Sequence, residues 1–177
     1  LQGDPAVKSF SPEKPDYYVD SSLVKTNPEV IYSTMDSFKI TAQIYNLGKG
    51  VSQTIKVRLT KNRTGNNTIL YSDSILAKVI NQNTVSFNIP IDKINDNGLF
   101  DFNINVNSDQ SKDEITFLNN QATLKIYISN NDLKPIFPQE FAIVHNQGVE
   151  LKASTENPLI KPTNYILELD TTAYFNS

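Results

Sequence analysis

Residues 98–128 read GLFDFNINVNSDQSKDEITFLNNQATLKIYI, and the reading of this stretch decides the fold. Phe100, Phe102, Ile104 and Val106 alternate with Asp101, Asn103, Asn105 and Asn107, the period of a half-buried β-strand. Ala122, Leu124, Ile126 and Ile128 then alternate with Thr123, Lys125 and Tyr127. Two strands therefore flank an acidic loop that closes on Asn119 and Asn120, as in the last hairpin of an antiparallel sandwich.

Outward from this hairpin the same texture continues. The composition favours Asn, Thr, Ser, Ile, Val, Tyr and Phe, which suits pleated strands and polar turns better than long helices. Ser37–Asn46 alternates through Phe38, Ile40, Ala42 and Ile44, and Gln53–Lys61 through Ile55, Val57 and Leu59. The turn between them, Asn46-Leu47-Gly48-Lys49-Gly50, offers residues that tolerate positive φ. Tyr17–Val24 reads as a first strand, ended before Asn27-Pro28. Ile69–Tyr71 and Ser74–Val79 read as a short, irregular edge and its crossover, and Thr84–Ile91 as another regular strand. Asp96-Asn97-Gly98 turns the chain into the opening hairpin.

About seven strands at short spacing predict an all-β, immunoglobulin-like antiparallel β-sandwich over residues 17–129. Residues 1–16, with Pro5, Pro12 and Pro15, read as a lead-in or linker. After Ser129 the texture changes, with Pro135, Pro138, Pro158 and Pro162 punctuating the chain. Three short strands are expected there, Phe141–Val144, Val149–Ala153 and Tyr165–Asp170, so residues 130–177 read as a linker and the beginning of an incomplete second β-domain.

Composition also excludes function classes. The formal net charge is −3 and Lys and Arg are scattered, so nucleic acid is disfavoured as a partner. Membrane insertion is not expected, because no window reaches the apolar length of a span. Cysteine is absent, which rules out disulfides, thiolate metal sites and a Cys nucleophile within these residues. His145 is the sole histidine and is flanked by no nucleophile-elbow pattern, so it reads as a surface histidine and no catalytic residue is assigned.

Asp109, Asp113 and Glu114 are oxygen ligands of the kind calcium takes, with Asn107 and Asn119 nearby, and they are the candidate metal ligands. Their spacing lacks the alternate-ligand pattern and glycine of an EF-hand loop. The favoured reading is a solvated acidic loop in which Asn119 and Asn120 bond backbone groups, with no cofactor. Ile115, Phe117 and Leu118 are expected to plug that loop onto the sandwich end. Tyr17, Tyr18, Tyr32, Tyr45, Tyr71 and Tyr127 are expected at outward or edge positions, where exposed aromatics can stack on sugars or peptides. Asn62-Arg63-Thr64 and Asn66-Asn67-Thr68 match glycosylation acceptors and read as a polar loop.

With the strands placed, Asn46-Leu47-Gly48, the acids Asp109, Asp113 and Glu114, and the Asn119-Asn120 pair resemble the CARDB domain. CARDB is a cell-adhesion-related, immunoglobulin-like module of bacterial surface and secreted proteins. The loop departs from that family at Ser108–Lys112, where a proline-containing turn is common. Leu1-Gln2-Gly3-Asp4-Pro5-Ala6 and Pro15-Asp16-Tyr17 resemble the junction between the catalytic domain and the following β-domain in gingipain-like peptidases of Bacteroidetes. The tail, with Phe141-Ala142-Ile143-Val144 and Asn164–Thr172, resembles the start of the next β-module in such proteins. These resemblances imply a non-catalytic accessory module, acting as a spacer, packing support or adhesion surface, of an exported protein with peptidase residues upstream and an extracellular or cell-surface location. Its expected partners are neighbouring domains of the same polypeptide. The alternative is recognition of an extracellular protein or glycan through a sheet face or the loop 108–120.

Overall fold

The computed structural model describes residues 11–130, 133–139, 142–144, 148–155 and 164–166. The chain divides into two compact units, Leu1–Ile128 and Ser129–Ser177. The first is the sandwich. Its strands are β1 (Tyr17–Tyr18), β2 (Val24–Asn27), β3 (Ile31–Tyr32), β4 (Ser37–Asn46), β5 (Thr54–Arg63), β6 (Ile69–Lys78), β7 (Gln82–Pro90), β8 (Gly98–Asn105) and β9 (Gln121–Ser129).

One sheet has β4 at its centre, with β7 along one side and β1 then β2 along the other. The second runs β3-β9-β8-β5-β6. The first strand of the chain is thus shared between sheets. It leaves one after β2, across the cis Asn27-Pro28 bond, and joins the other as β3. β4 pairs antiparallel with β1, β2 and β7, as do β5 with β6 and β8 and β8 with β9, as expected for an immunoglobulin-like sandwich.

The alternating residues of the sequence form the core. Phe38, Ile40, Ala42 and Ile44 of β4, with Val85, Phe87 and Ile89 of β7, are buried in one sheet. Ile55, Val57 and Leu59 of β5, with Phe100, Phe102 and Ile104 of β8, are buried in the other. The sheets meet where Phe38 and Phe102 pack edge to face, ring centroids 5.7 Å apart and planes at 83°.

Several local expectations need correction. Tyr17–Val24 is interrupted by a 3-10 turn at Ser21–Leu23, whose start is capped by the Asp20 carboxylate accepting from Ser22 N–H at 2.9 Å. Tyr17 points inward and is fully buried. The two short pieces expected at 69–79 are one ten-residue strand, β6, paired with β5 along its length. Tyr71, Ile75 and Ala77 face the core, but Asp73 shares their face while Leu70 and Leu76 lie outward and exposed. Those departures from alternation hid the strand. β3 is too short to announce itself by periodicity.

In the second unit, β10 (Leu133–Phe137) pairs antiparallel with β11 (Lys152–Thr155). β10 carries Pro135, which edge pairing tolerates and which disguised it in the sequence. The strand expected at Val149–Ala153 begins at Lys152 instead. Residues 142–144 and 164–166 are not in strands, and the remainder of the other two expected strands lies outside the described residues.

Replacing Phe102 by Ala should lower unfolding free energy by about 3–5 kcal/mol, since a buried aromatic is lost at the centre of the sheet interface. Leu99→Ala, on the exposed side of the same strand, should change it by less than about 0.5 kcal/mol. Urea unfolding of both variants checks this, and equal effects would contradict the assigned faces.

Candidate functional site

Buried polar groups of the sandwich lie at its two ends, which β5 connects. Ser108 N–H donates to Lys56 O at 2.9 Å at one end, whereas Lys61 and Arg63 stand at the other. Five residues of strand separate Lys56 from Lys61, on the order of 16 Å.

At the first end lies the loop between β8 and β9. Asn107, two residues past the end of β8, has φ of 50°, a left-handed conformation that Asn tolerates better than most residues. The loop then folds its own carboxylate inward, and Glu114 is only 4% exposed. Its Oε1 accepts from Asn107 Nδ2 at 2.6 Å and from Asn120 Nδ2 at 2.7 Å. Its Oε2 accepts from Tyr17 N–H at 2.8 Å. Asn107 Nδ2 also donates to Lys112 O and Asn120 Nδ2 to Val106 O, so both amides are shared between the carboxylate and the loop backbone.

The same loop grips the lead-in. Ile115 N–H donates to Pro15 O at 2.9 Å, Asn119 Nδ2 to Asp16 Oδ1 at 3.0 Å, and Val19 N–H to Asn119 O at 3.1 Å. From the other side comes the Asn46-Leu47-Gly48 turn. Asn46 Oδ1 accepts from Asp16 N–H and Gly48 N–H, while Leu47 N–H and Lys49 N–H donate to Asp16 O and Lys14 O. A Cβ at Gly48 would collide with Lys14 O and stand 2.8 Å from Asp16 N, so only glycine lets the backbones approach this closely. Asn46-x-Gly48 and Asn119, which carry part of the family resemblance, therefore converge on Lys14–Tyr17, and Asn120 is linked to Tyr17 through Glu114.

The three candidate calcium ligands are parted by this arrangement. Glu114 is consumed inside the loop. Asp109 is exposed and accepts from Ser111 N–H at 3.2 Å, a bond that holds its carboxyl below the usual carboxylate range. Asp113 is exposed and pairs with Lys14 at 2.7 Å. Among the described residues, no group of three or more His, Asp or Glu side chains could hold a metal ion. A solvated loop describes Asp109 and Asp113 but not Glu114. Asn120 does bond a backbone carbonyl as expected. Ile115, Phe117 and Leu118 do not plug the sandwich end: all three are exposed, Leu118 at 96%. His145 lies outside the described residues.

The second end was not anticipated as a site. Lys61 is 3% exposed and pairs directly with Asp96, itself 5% exposed. Its Nζ also lies 4.7 Å from the Phe100 ring centroid, with the Arg63 guanidinium 5.0 Å from the same ring. Beside the pair opens a cleft of about 620 Å³, walled by Leu70, Tyr71, Pro90 and Ile91. The signal was present: Lys61 continues the inward parity of Ile55, Val57 and Leu59, so period alone places its side chain in the core.

Solved structures with similar folds include the CARDB domain of a Pyrococcus furiosus protein in complex with di-metal ions. It is 22% identical and covers 72% of this chain and 99% of that one, with a TM-score of 0.49. The solution structure of the same domain gives 23% identity over 66% and 97% of the two chains, with a TM-score of 0.49. A domain from Methanosarcina acetivorans gives 19%, 65% and 92%, with a TM-score of 0.48. No family model matches the chain, and no curated protein matches it. No helix among the described residues is long and apolar enough to cross a membrane.

Two predictions follow from the buried loop carboxylate and its neighbour. Glu114→Ala orphans the Tyr17 amide and takes one of two acceptors from each of the Asn107 and Asn120 side-chain amides, and a buried donor left without its acceptor costs about 1–3 kcal/mol. Its denaturation midpoint should fall well below that of Asp109→Ala, which should match wild type. The Tyr17 phenol is pushed up, first by burial and then by the Glu114 charge, and its hydroxyl has no hydrogen-bond partner. With the folded value raised, this group leaves stability undiminished below the unfolded value of about pH 10 and lowers it as pH rises from there through the folded value, because the phenolate is disfavoured in the fold. Tyr17→Phe should therefore be at least as stable as wild type at neutral pH and less sensitive to alkali, read by thermal melts from pH 7 upward.

Proposed function

We propose that residues 17–129 form a CARDB-like module that serves as a non-catalytic spacer and packing support in an exported protein, outside the cell or at its surface. Residues 1–16 are then its lead-in, and 130–177 the linker and start of a further β-domain. The parent on this reading is a gingipain-like peptidase of Bacteroidetes, supported by the resemblance of Leu1–Ala6 and Pro15–Tyr17 to the junction after such a catalytic domain. Its partners are its neighbours in the same polypeptide.

The observation that carries the spacer role is the clamp on Lys14–Tyr17. A spacer transmits position only if the chain is fixed where it joins the domain, and here loop 107–120 and the Asn46–Gly48 turn hold those residues from two sides. Buried polar groups that elsewhere would serve chemistry are spent on that attachment.

A second reading is supported by the outward face of the larger sheet. Thr60, Asn103 and Thr123 lie in one row across β5, β8 and β9, with Arg58, Asn105 and Gln121 in the next. Thr123 Oγ1 donates to Asn103 Oδ1 and Asn103 Nδ2 to Asn62 Oδ1, giving a mostly uncharged polar array suited to hydroxyl-rich ligands.

The isolated chain should cleave no protein substrate and retain no glycan on an array. Replacing Ile115, Phe117 and Leu118 together by Ser should leave adhesion of cells bearing the parent protein unchanged. Peptidase activity of the chain would overturn the accessory reading; array binding lost in Asn103→Ala would replace the spacer role by the second reading.

A further inference from the structure

The Lys61–Asp96 pair is the most costly feature of the domain that neither packing nor the lead-in clamp uses. Burying two charges is repaid only by very good geometry, and well-packed apolar residues at such sites are often as stable or more so. Here an amine and a carboxyl are held in direct contact, both nearly solvent-free, beneath an aromatic ring.

We propose that Lys61 and Asp96 condense to an intramolecular amide, a covalent link from strand β5 to the loop between β7 and β8. Within the pair, the ammonium passes a proton to the carboxylate, giving an amine and a carboxylic acid. The Nζ lone pair attacks Cγ of Asp96, the C–N bond forms, a second proton moves from nitrogen to the departing oxygen, and the C–O bond breaks to release water. One water leaves, nothing is oxidised or reduced, and no co-reactant is needed.

The surroundings are arranged for that step. Asp96 Oδ2 accepts from Asp92 N–H at 2.8 Å, which places a fixed donor on the oxygen that carries negative charge in the tetrahedral intermediate and becomes the amide carbonyl. Asp96 N–H donates in turn to Asp92 O at 2.8 Å, so the residue is pinned at both ends. Arg63 clamps its neighbours, donating from Nη2 to Asn95 O at 2.9 Å and from Nη1 to Asn97 O at 3.0 Å. Holding both reactants in place converts a slow bimolecular condensation into an intramolecular one. The Phe100 ring covers the amine, and the adjoining cleft, which Lys61 and Asp96 both line, is the way out for the released water.

The test is the intact mass of the purified, folded chain after incubation, read under denaturing conditions so that an ion pair cannot contribute. The wild-type chain should weigh less than its sequence by one water, and a digest should yield one branched peptide joining Lys61 to Asp96. Lys61→Arg keeps a cation in contact with Asp96 but offers a guanidinium that stays protonated and does not attack, so it should show the full sequence mass. A wild-type mass equal to the sequence mass, or a water loss that persists in Lys61→Arg, would overturn the proposal and leave an ion pair alone.

Discussion

The Glu114 carboxylate is the constraint on which the rest of the sandwich depends. A carboxylate 4% exposed is tolerable only when hydrogen bonds replace its water, and its three donors are Asn107 and Asn120 on either side of it in the same loop and Tyr17, 97 residues away. Tyr17 belongs to the first strand, Asn107 lies two residues past the end of β8, and Asn120 immediately precedes the last strand. One acid thereby fixes the register with which the lead-in, the penultimate strand and the last strand meet. Apolar burial supplies most of the stabilisation but is indifferent to such details; the carboxylate is not.

The opposite end follows the same logic with the signs exchanged. There a lysine continues the inward row of β5 where the core runs out, and Asp96 closes over it from the loop before β8. Between the two ends the interior is aliphatic and aromatic, including the Phe38–Phe102 contact. The domain is thus an apolar slab with a buried charge, compensated locally, at each end. The exposed β6 edge, with Leu70 and Leu76 outward, is the part of the slab least controlled by these devices.

Much of this was legible in the sequence. Period-two alternation placed β4, β5, β7, β8 and β9 and most of the core, because each has one face against the opposite sheet and one in water. β6 escaped because an edge strand need not alternate cleanly. The separated β1 and β2 were read as one strand, since the Asp20 cap that breaks them is a local side-chain bond within a polar stretch. The Asn46-x-Gly48 and Asn119-Asn120 motifs were visible as a signature but not as a mechanism. Their meaning lies in contacts with Lys14–Tyr17, remote in sequence, and no local pattern shows which of three neighbouring acids will turn inward. Glu114 differs from Asp109 and Asp113 by one methylene of reach and by its place between Asn107 and Asn120.

Native-state hydrogen exchange measures the central claim most directly, through the backbone amides of Tyr17, bonded to Glu114, and Ile115, bonded to Pro15. If the lead-in is locked to the loop as described, both amides exchange only when the sandwich itself opens, with the same protection as Phe102 in β8. Exchange of Tyr17 and Ile115 at the rate of a free loop, with Phe102 still protected, would contradict the account.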